Sequence, residues 1–418
     1  MSAPEAAEPA GALGARSVRT LFAVFAAGYF LSYFLRSANA VIAPTLQREV
    51  GLSTADLGFM TGTFFGAYAL AQLPIGVWLD RLGPRLVGGG LMALGAVGCS
   101  VFALGEDLLT LTAGRLLLGV GLGSVLLAGL KAFSLWWPAR RFATVSGVFY
   151  ATGSLGALAA ATPLALVEDV LGWRSVFWLA AAAVAASALL VVLLTPAGGG
   201  RTHGAAPEAV GSARLGPDLV RVMAFGACFT GPLLAFQTLW AGPMLFDVFG
   251  YDAVRTGNAL LLLSLGVTAG YAASGTLADR FGLARVSALS LLTFALAQAL
   301  LAAQLEGTLP WLLPLFGAAG GHCILALPNA RRLMGSSRSG RATGTVNAAS
   351  IGGVFALQWA IGVLVGRGAA PGALEAAAGA SETIAGAAAG YRLALVVTSG
   401  LSLVALLAYL PLARRIGR

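Results

Sequence analysis

Apolar stretches of about 20 residues recur along the whole chain, each long enough to cross roughly 30 Å of hydrocarbon as a helix. Twelve such spans are expected, over residues 20–41, 57–79, 86–104, 109–137, 143–167, 175–195, 219–242, 257–278, 285–304, 310–330, 343–366 and 389–411. Of the 418 residues only 10% are charged, while 58% are hydrophobic. A water-soluble domain carries roughly 25% charged residues, so this chain has too few to coat a surface facing water. The expected fold class is an all-α membrane protein.

The net charge of +9 would suggest a nucleic-acid partner in a soluble protein. Its distribution argues otherwise, and no nucleic acid is expected. Arg16, Arg19, Arg81, Arg85, Arg140, Arg141, Arg280, Arg285, Arg414 and Arg415 fall on one side of the expected spans, against Arg48, Arg174, Arg255, Arg367 and Arg392 on the other. That asymmetry is the positive-inside pattern. It predicts a multi-pass protein of the inner membrane, surrounded by lipid bilayer, with both termini in the cytoplasm.

From Thr195 to Pro217 the apolar pattern breaks, with Gly198, Gly199, Gly200, His203 and Pro207. The chain is therefore divided into a cytoplasmic tail (1–19), a six-helix bundle (20–195), a cytoplasmic linker (196–218), a second six-helix bundle (219–411) and a cytoplasmic tail (412–418). The bundles match at one constant offset of 199: Pro44 with Pro243, Gly51 with Gly250, Gly58 with Gly257, Gly76 with Gly275, Asp80 with Asp279 and Gly153 with Gly352. Halves of the same hand form a parallel repeat, which is one transporter architecture.

Between spans 2 and 3 the chain reads Gly76, Val77, Trp78, Leu79, Asp80, Arg81, Leu82, Gly83, Pro84, Arg85. Its repeat reads Gly275, Thr276, Leu277, Ala278, Asp279, Arg280, Phe281, Gly282, with Arg285 beyond. Gly83 and Gly282 suit a tight reversal because glycine tolerates positive φ. Asp80 can meet the positive N-terminus of a helix or the Arg140 and Arg141 pair, in contacts that break when that side opens. The doubled loop resembles the signature loop of the major facilitator superfamily. Arg115, Gly119, Gly121 and Gly123 in span 4, and Gly172, Trp173, Arg174 and Phe177 before span 6, resemble further features of that family. The resemblance implies two pseudo-symmetric six-helix bundles in the major facilitator fold, alternating access, and gating roles for Asp80, Arg81, Arg85, Arg140, Arg141, Asp279 and Arg280.

Charged groups inside a bilayer are costly and by default mark a pathway. All 17 acidic residues fall in loops, helix ends or tails, whereas Arg36 in span 1 and Arg115 and Lys131 in span 4 lie within apolar runs. Arg36 shares a helical stripe with Tyr29, Tyr33 and Asn39, and Thr61, Tyr68 and Gln72 form a comparable stripe on span 2. Gln237 and Trp240 on span 7, with Asn347, Ser350 and Gln358 on span 11, are expected to complete the site. No acid is available at depth to neutralise Arg36 or Lys131, so a small anionic solute supplies the missing charge. A guanidinium grips carboxylate or phosphate as a fork, and a desolvated lysine can release its proton when the site is empty.

The run from Tyr33 through Arg36 and Asn39 to Pro44, followed by Asp56, Leu57 and Gly58, resembles the first-helix region of the organophosphate:phosphate antiporters and related organic-anion symporters. Lys131 falls where those antiporters place a basic residue. They also carry a second substrate arginine on span 7, where the repeat here supplies Ala235, which favours a carboxylate over a phosphate ester.

The expected function is secondary transport of a small organic anion, with a coupling ion and with Arg115 and His322 as candidate coupling residues. The main rival is a proton-driven efflux pump for drugs or other hydrophobic compounds. Such pumps, when they handle cations, bury a carboxylate that no span here contains. A metal importer built on Met223, Cys228, His322 and Cys323 has suitable donors but no repeated ligand spacing, and a non-transporting receptor is a further alternative. His203 and His322 are the only histidines and neither pairs with a nucleophile, so no enzymatic activity, cofactor or resident metal is expected. A monomer is expected.

Overall fold

The computed structural model describes residues 15–137, 139–197, 216–334, 339–368 and 380–416, and every regular element among them is helical. The first pass is α1 (Ala15–Ser37) and α2 (Asn39–Val50), broken at Ala38. The second and third passes share α3 (Thr54–Ala103), parted where Gly83 takes φ 78° and ψ 167°. The fourth is α4 (Leu108–Trp136), and the fifth is α5 (Ala139–Ala159) with the start of α6 (Thr162–Leu194). Beyond Gly172 (φ 73°) the rest of α6 is the sixth pass.

The second half repeats the plan. Its first pass is α7 (Pro217–Ala235), a π-turn (Phe236–Trp240) and α8 (Ala241–Phe249). Then come α9 (Ala253–Phe281), α10 (Leu283–Ala302), and α11 (Leu309–Gly321) running through a 3-10 turn (His322–Leu325) into α12 (Ala326–Met334). The last two passes are α13 (Ser339–Gly368) and α14 (Ala380–Ile416).

Among the described residues ten helical stretches are long and apolar enough to cross a bilayer, and Val148–Ala159 is a shorter apolar helix. Spans 57–79 and 143–167 do not stand out separately. The first carries the polar stripe of Thr61, Tyr68 and Gln72 and continues through Gly83 into the next pass. The second is not one helix, as expected from its hydropathy, but turns at Ala160 and Ala161. The cause is Pro163 in the first turn of α6, which lacks an N–H to continue the α5 ladder and suits a helix start, where that donor is unpaired anyway. Residues 198–215 of the expected linker, 1–14 of the first tail and 417–418 of the second lie outside the described residues.

The 199-residue repeat is visible in backbone geometry. Gly51 (φ 73°) and Gly250 (φ 62°) cap α2 and α8 in the left-handed region, and Gly83 and Gly282 (φ 91°) turn the two signature loops. Ser53 and Asp252 cap α3 and α9, each accepting a backbone N–H three residues on. Even the irregularities coincide, since the break at Ala38 maps to Gln237 inside the π-turn.

The halves meet near the end that carries Gly51 and Gly250. A Cβ on Gly58 would strike the Gln358 carbonyl, one on Gly242 the Ala40 carbonyl, and one on Gly257 would come within 2.8 Å of Thr162 Cα. Thr162 Oγ1 donates to Asn258 Oδ1 at 2.8 Å across this seam. Phe59 packs edge-on against Phe355 and Trp359, with centroids 6.3 Å apart in both pairs. Beside the seam, Trp173 Nε1 and Arg174 both donate to Glu49 Oε2, at 2.9 and 2.6 Å. The Trp173 hydrogen bond, with help from Arg174, outweighs partial desolvation and holds the Glu49 carboxyl below its ordinary range.

Candidate functional site

Arg36 occupies the last turn of α1, just before the break at Ala38, and only 7% of it is exposed. Its guanidinium carbon lies 4.4 Å from the Tyr33 ring centroid, 5.3 Å from that of Tyr68, and 5.7 and 5.8 Å from those of Phe65 and Phe64. Tyr29 extends the wall, edge-on to Tyr33 at 5.0 Å and stacked on Phe149 at 4.7 Å. Buried Nε has no hydrogen-bond partner, and among the described residues Arg36 takes part in no ion pair. Aromatic faces attract a cation, but they do not replace an anion, and an unpaired buried guanidinium carries a desolvation penalty of several kcal/mol. The arrangement can therefore accept a small anion.

The neighbours on the two stripes turn to other tasks. Asn39 donates to Thr61 Oγ1 at 2.7 Å and leaves its own oxygen unpartnered. Gln72 donates to the Gly123 carbonyl at 3.1 Å, joining α3 to α4. From the second half, Gln237 reaches Ser264 at 3.4 Å, and Gln358 donates to Thr238 at 2.9 Å while its backbone carbonyl accepts from Trp240 Nε1 at 3.1 Å. Trp240 and Gln358 are wholly buried at the seam, whereas Asn347 is half-buried on α13.

Lys131 departs from its expected place. Its Nζ lies 2.8 Å from Asp80 Oδ1, so it closes an ion pair with the first signature loop instead of standing as a second free cation beside Arg36. The lysine is on the last turns of α4, and a four-carbon stem is long enough to reach past the end of the apolar layer. Asp80 thus has a partner other than Arg140 and Arg141, whose side chains lie outside the described residues. Arg81, Asp279 and Arg280 are exposed and Arg85 half-buried at the same end.

Of the two candidate coupling residues, Arg115 is completely buried and donates from Nη1 to the Leu35 carbonyl at 2.9 Å, over the rings of Phe102 and Phe177. It braces the residue preceding Arg36. His322 lies in the 3-10 turn with Nδ1 2.8 Å from the Ala318 carbonyl and Nε2 unpartnered. One residue that the sequence reading passes over is Tyr271, half-buried on α9 where that helix touches α11. The repeat offers the signal that finds it, because 199 residues before Tyr271 stands Gln72.

Two repeated helical bundles, crossing a membrane many times around a buried cation, define a polytopic membrane transporter. The family model described as Major Facilitator Superfamily matches residues 25–357. The chain belongs to that superfamily. It is similar to the probable L-galactonate transporter of Escherichia coli (strain K12), 30% identical over 147 residues, which cover 35% of this chain and 32% of the relative. The hexuronate transporter of the same strain is 32% identical over 158 residues, covering 38% and 36%. The probable sulfoacetate transporter of Cupriavidus necator is 29% identical over 150 residues, covering 36% and 35%. Each match spans about a third of the relative's own length. Among solved structures, a bacterial homolog of the human lysosomal transporter Spinster, inward-facing and unoccupied, aligns over 97% of this chain and 98% of its own, with TM-score 0.78 and 18% identity. The nucleoside transporter NupG covers 94% and 98%, with TM-score 0.73 and 14% identity.

Proposed function

We propose that this transporter is a secondary active carrier of a small organic anion, a carboxylate by preference, working by alternating access. The observation that carries the reading is Arg36, buried with an unpartnered Nε inside an aromatic wall and joined by no carboxylate among the described residues. An anion that binds there supplies the charge partner that no described carboxylate gives the guanidinium, and a planar carboxylate matches its fork. The names of the similar proteins, transporters of galactonate, hexuronate and sulfoacetate, point to the same chemistry.

The seam near Gly51 and Gly250 is the closed gate, and the signature loops lie at the opposite, cytoplasmic end of an inner-membrane protein. Asp80 and Lys131 latch the loop to α4 there. The binding set is Arg36 with Tyr33 and Tyr68, approached by Gln237 and Asn347. A coupling ion or counter-anion accompanies the solute.

Uptake of labelled D-galactonate, galacturonate and sulfoacetate into proteoliposomes tests the reading. At least one should accumulate in an Arg36-dependent way. Normal uptake by Arg36→Ala, or efflux of cationic dyes with no anion transported, would overturn it.

A further inference from the structure

A cavity of about 10 Å³ lies inside the second half, where α7 and the π-turn meet α10, α11, α13 and α14. Pro232, Phe236 and Trp240 wall it from the broken first pass, and Gln298, Tyr391 and Thr398 from the passes behind. That is room for about one water. Its hydrogen-bonding capacity is one-sided. Trp240 Nε1 donates to the Gln358 carbonyl at 3.1 Å, Tyr391 to Asp247 Oδ2 at 2.9 Å and Thr398 to the Ala394 carbonyl at 2.9 Å. Gln298 spends its amide hydrogens on Ser402 Oγ at 3.1 Å and on the Phe294 carbonyl at 3.4 Å. Each side-chain donor of the lining is thus committed. Gln298 Oε1, wholly buried, has no partner, and the Thr398 hydroxyl keeps lone pairs with which to accept. The surplus is of acceptors, so an occupant has to donate.

The polar groups behind the cavity repair the backbone of that same pass. Pro232 has no N–H for the carbonyl four residues back, which is that of Cys228. Ser402 Oγ, itself accepting from Gln298, donates to that carbonyl at 3.0 Å. Beyond the proline the π-turn ends in Trp240, whose ring would lie 3.0 Å from a Cβ on Gly58 of the first half. The seam therefore rests, through Trp240, on a pass whose break is held by Gln298 and Ser402. We propose that the cavity binds one water, which donates to Gln298 Oε1 and Thr398 Oγ1, and that this water is the pivot on which the π-turn opens. A small cation also suits acceptors, but no carboxylate lines the cavity among the described residues, and a bare buried charge costs far more than a neutral donor. Broken membrane helices keep their freed backbone groups satisfied through side chains and ordered waters. When a π-turn shifts, its carbonyls change partners, and a water can follow them where a methyl group cannot. The site is independent of the solute.

Two substitutions in the full-length chain test the site. Gln298→Leu keeps the volume and removes the acceptor, and Ala394→Val adds methyl groups at the cavity wall. In the parent, Ala394→Val displaces the water and strands Gln298 Oε1, so the melting temperature should fall by a few degrees. In the Gln298→Leu background the cavity is apolar, and the same methyl groups should leave the melting temperature unchanged or raise it. Equal shifts in the two backgrounds overturn the water site. Melting in sodium chloride and in choline chloride should coincide, and a rise specific to sodium overturns the water in favour of a cation. A high-resolution structure of the parent should show one water within hydrogen-bonding reach of both oxygens, and its absence overturns the site. Amide hydrogen exchange reads the pivot. Over residues 236–249, Gln298→Leu should exchange about fivefold more slowly than the parent, the worth of about one hydrogen bond in the opened state. Exchange at the parental rate sinks the pivot and leaves only a structural water. Should Gln298→Leu not be recovered folded, Gln298→Met is read for the same coupling to Ala394→Val and the same slowing of exchange.

Discussion

In the first half, the loop aspartate Asp80 is held by Lys131 at 2.8 Å, and Arg36 and Arg115 stand buried in the bilayer layer. In the second half the same offsets bring Asp279, Ala330, Ala235 and Pro314. The turns have survived duplication, as Gly51 with Gly250 and Gly83 with Gly282 show, while the cations have not. Backbone geometry is needed twice because both bundles must reverse and cap in the same way. Charge in a membrane is costly, and among the described residues the buried arginines stand in the first half alone. At depth the second half carries neutral polar groups instead, Gln237 and Gln358 among them.

The largest expected effect breaks this division outright. Arg36→Ala should lower transport at least about 100-fold, the order of losing a charge-assisted fork, while Arg36→Lys retains part of it. Moving the cation to its equivalent, Arg36→Ala with Ala235→Arg, should not restore uptake, because Ala235 is wholly buried and lacks the aromatic wall. Restored uptake would make the halves interchangeable and end the comparison.

The seam should respond next. Gly58→Val and Gly257→Val each place a branched side chain against backbone of the other half, at Gln358 and Thr162. Overpacking of this kind costs about 1–3 kcal/mol, so the closed seam should be depopulated and turnover should fall about tenfold, measured by anion exchange. Asn258→Ala removes only the cross-seam hydrogen bond and should do less.

A smaller contrast separates the two loops. The Asp80 side chain is 69% exposed, so its pair with Lys131 is worth no more than about 1 kcal/mol. Asp80→Asn and Lys131→Ala should therefore slow turnover by about fivefold at most, and the double variant by no more than either one alone. Asp279→Asn, with Ala330 at the lysine's equivalent, should show no such coupling to Ala330→Lys. Additive losses at Asp80 and Lys131 would show that the pair does not act as a unit.

The smallest effect is a pH dependence found in the first half. The folded Glu49 carboxyl sits below its unfolded value, so it stabilises the fold above the ordinary carboxylate range, and that contribution is lost as pH falls through the lowered folded value. Trp173→Phe should flatten the acid limb of a melting curve by no more than about 1 kcal/mol, since the carboxylate is half exposed. An unchanged acid limb would remove Trp173 from the linkage.

Much of this could be read from residue types at fixed spacing. The spans, the offset of 199, the reversal at Gly83 and the depth of Arg36 follow from hydropathy, glycine and the cost of buried charge. What escaped depends on rotation and reach. Hydropathy placed Lys131 inside a span but could not say that its stem runs toward Asp80. Hydropathy runs unbroken through Pro163, although that residue begins a new helix. Tyr271 was hidden by its own ordinariness, since one tyrosine on an apolar helix has no signature until the repeat sets it opposite Gln72.

The glycine contacts between α9 and α11 also have a mechanical meaning. Soft side chains between two helices absorb small displacements, whereas touching backbones pass them on. Tyr271 and Asp279 are eight residues apart on one helix, about 12 Å along its axis. A displacement at that contact is therefore carried along a stiff helix to the second signature loop. In the first half, Gly119 against Phe64 and Ala67 stiffens the matching helix, which ends at Asp80. Both halves thus set a signature loop at the end of a helix whose middle lies in close contact with its neighbour's backbone.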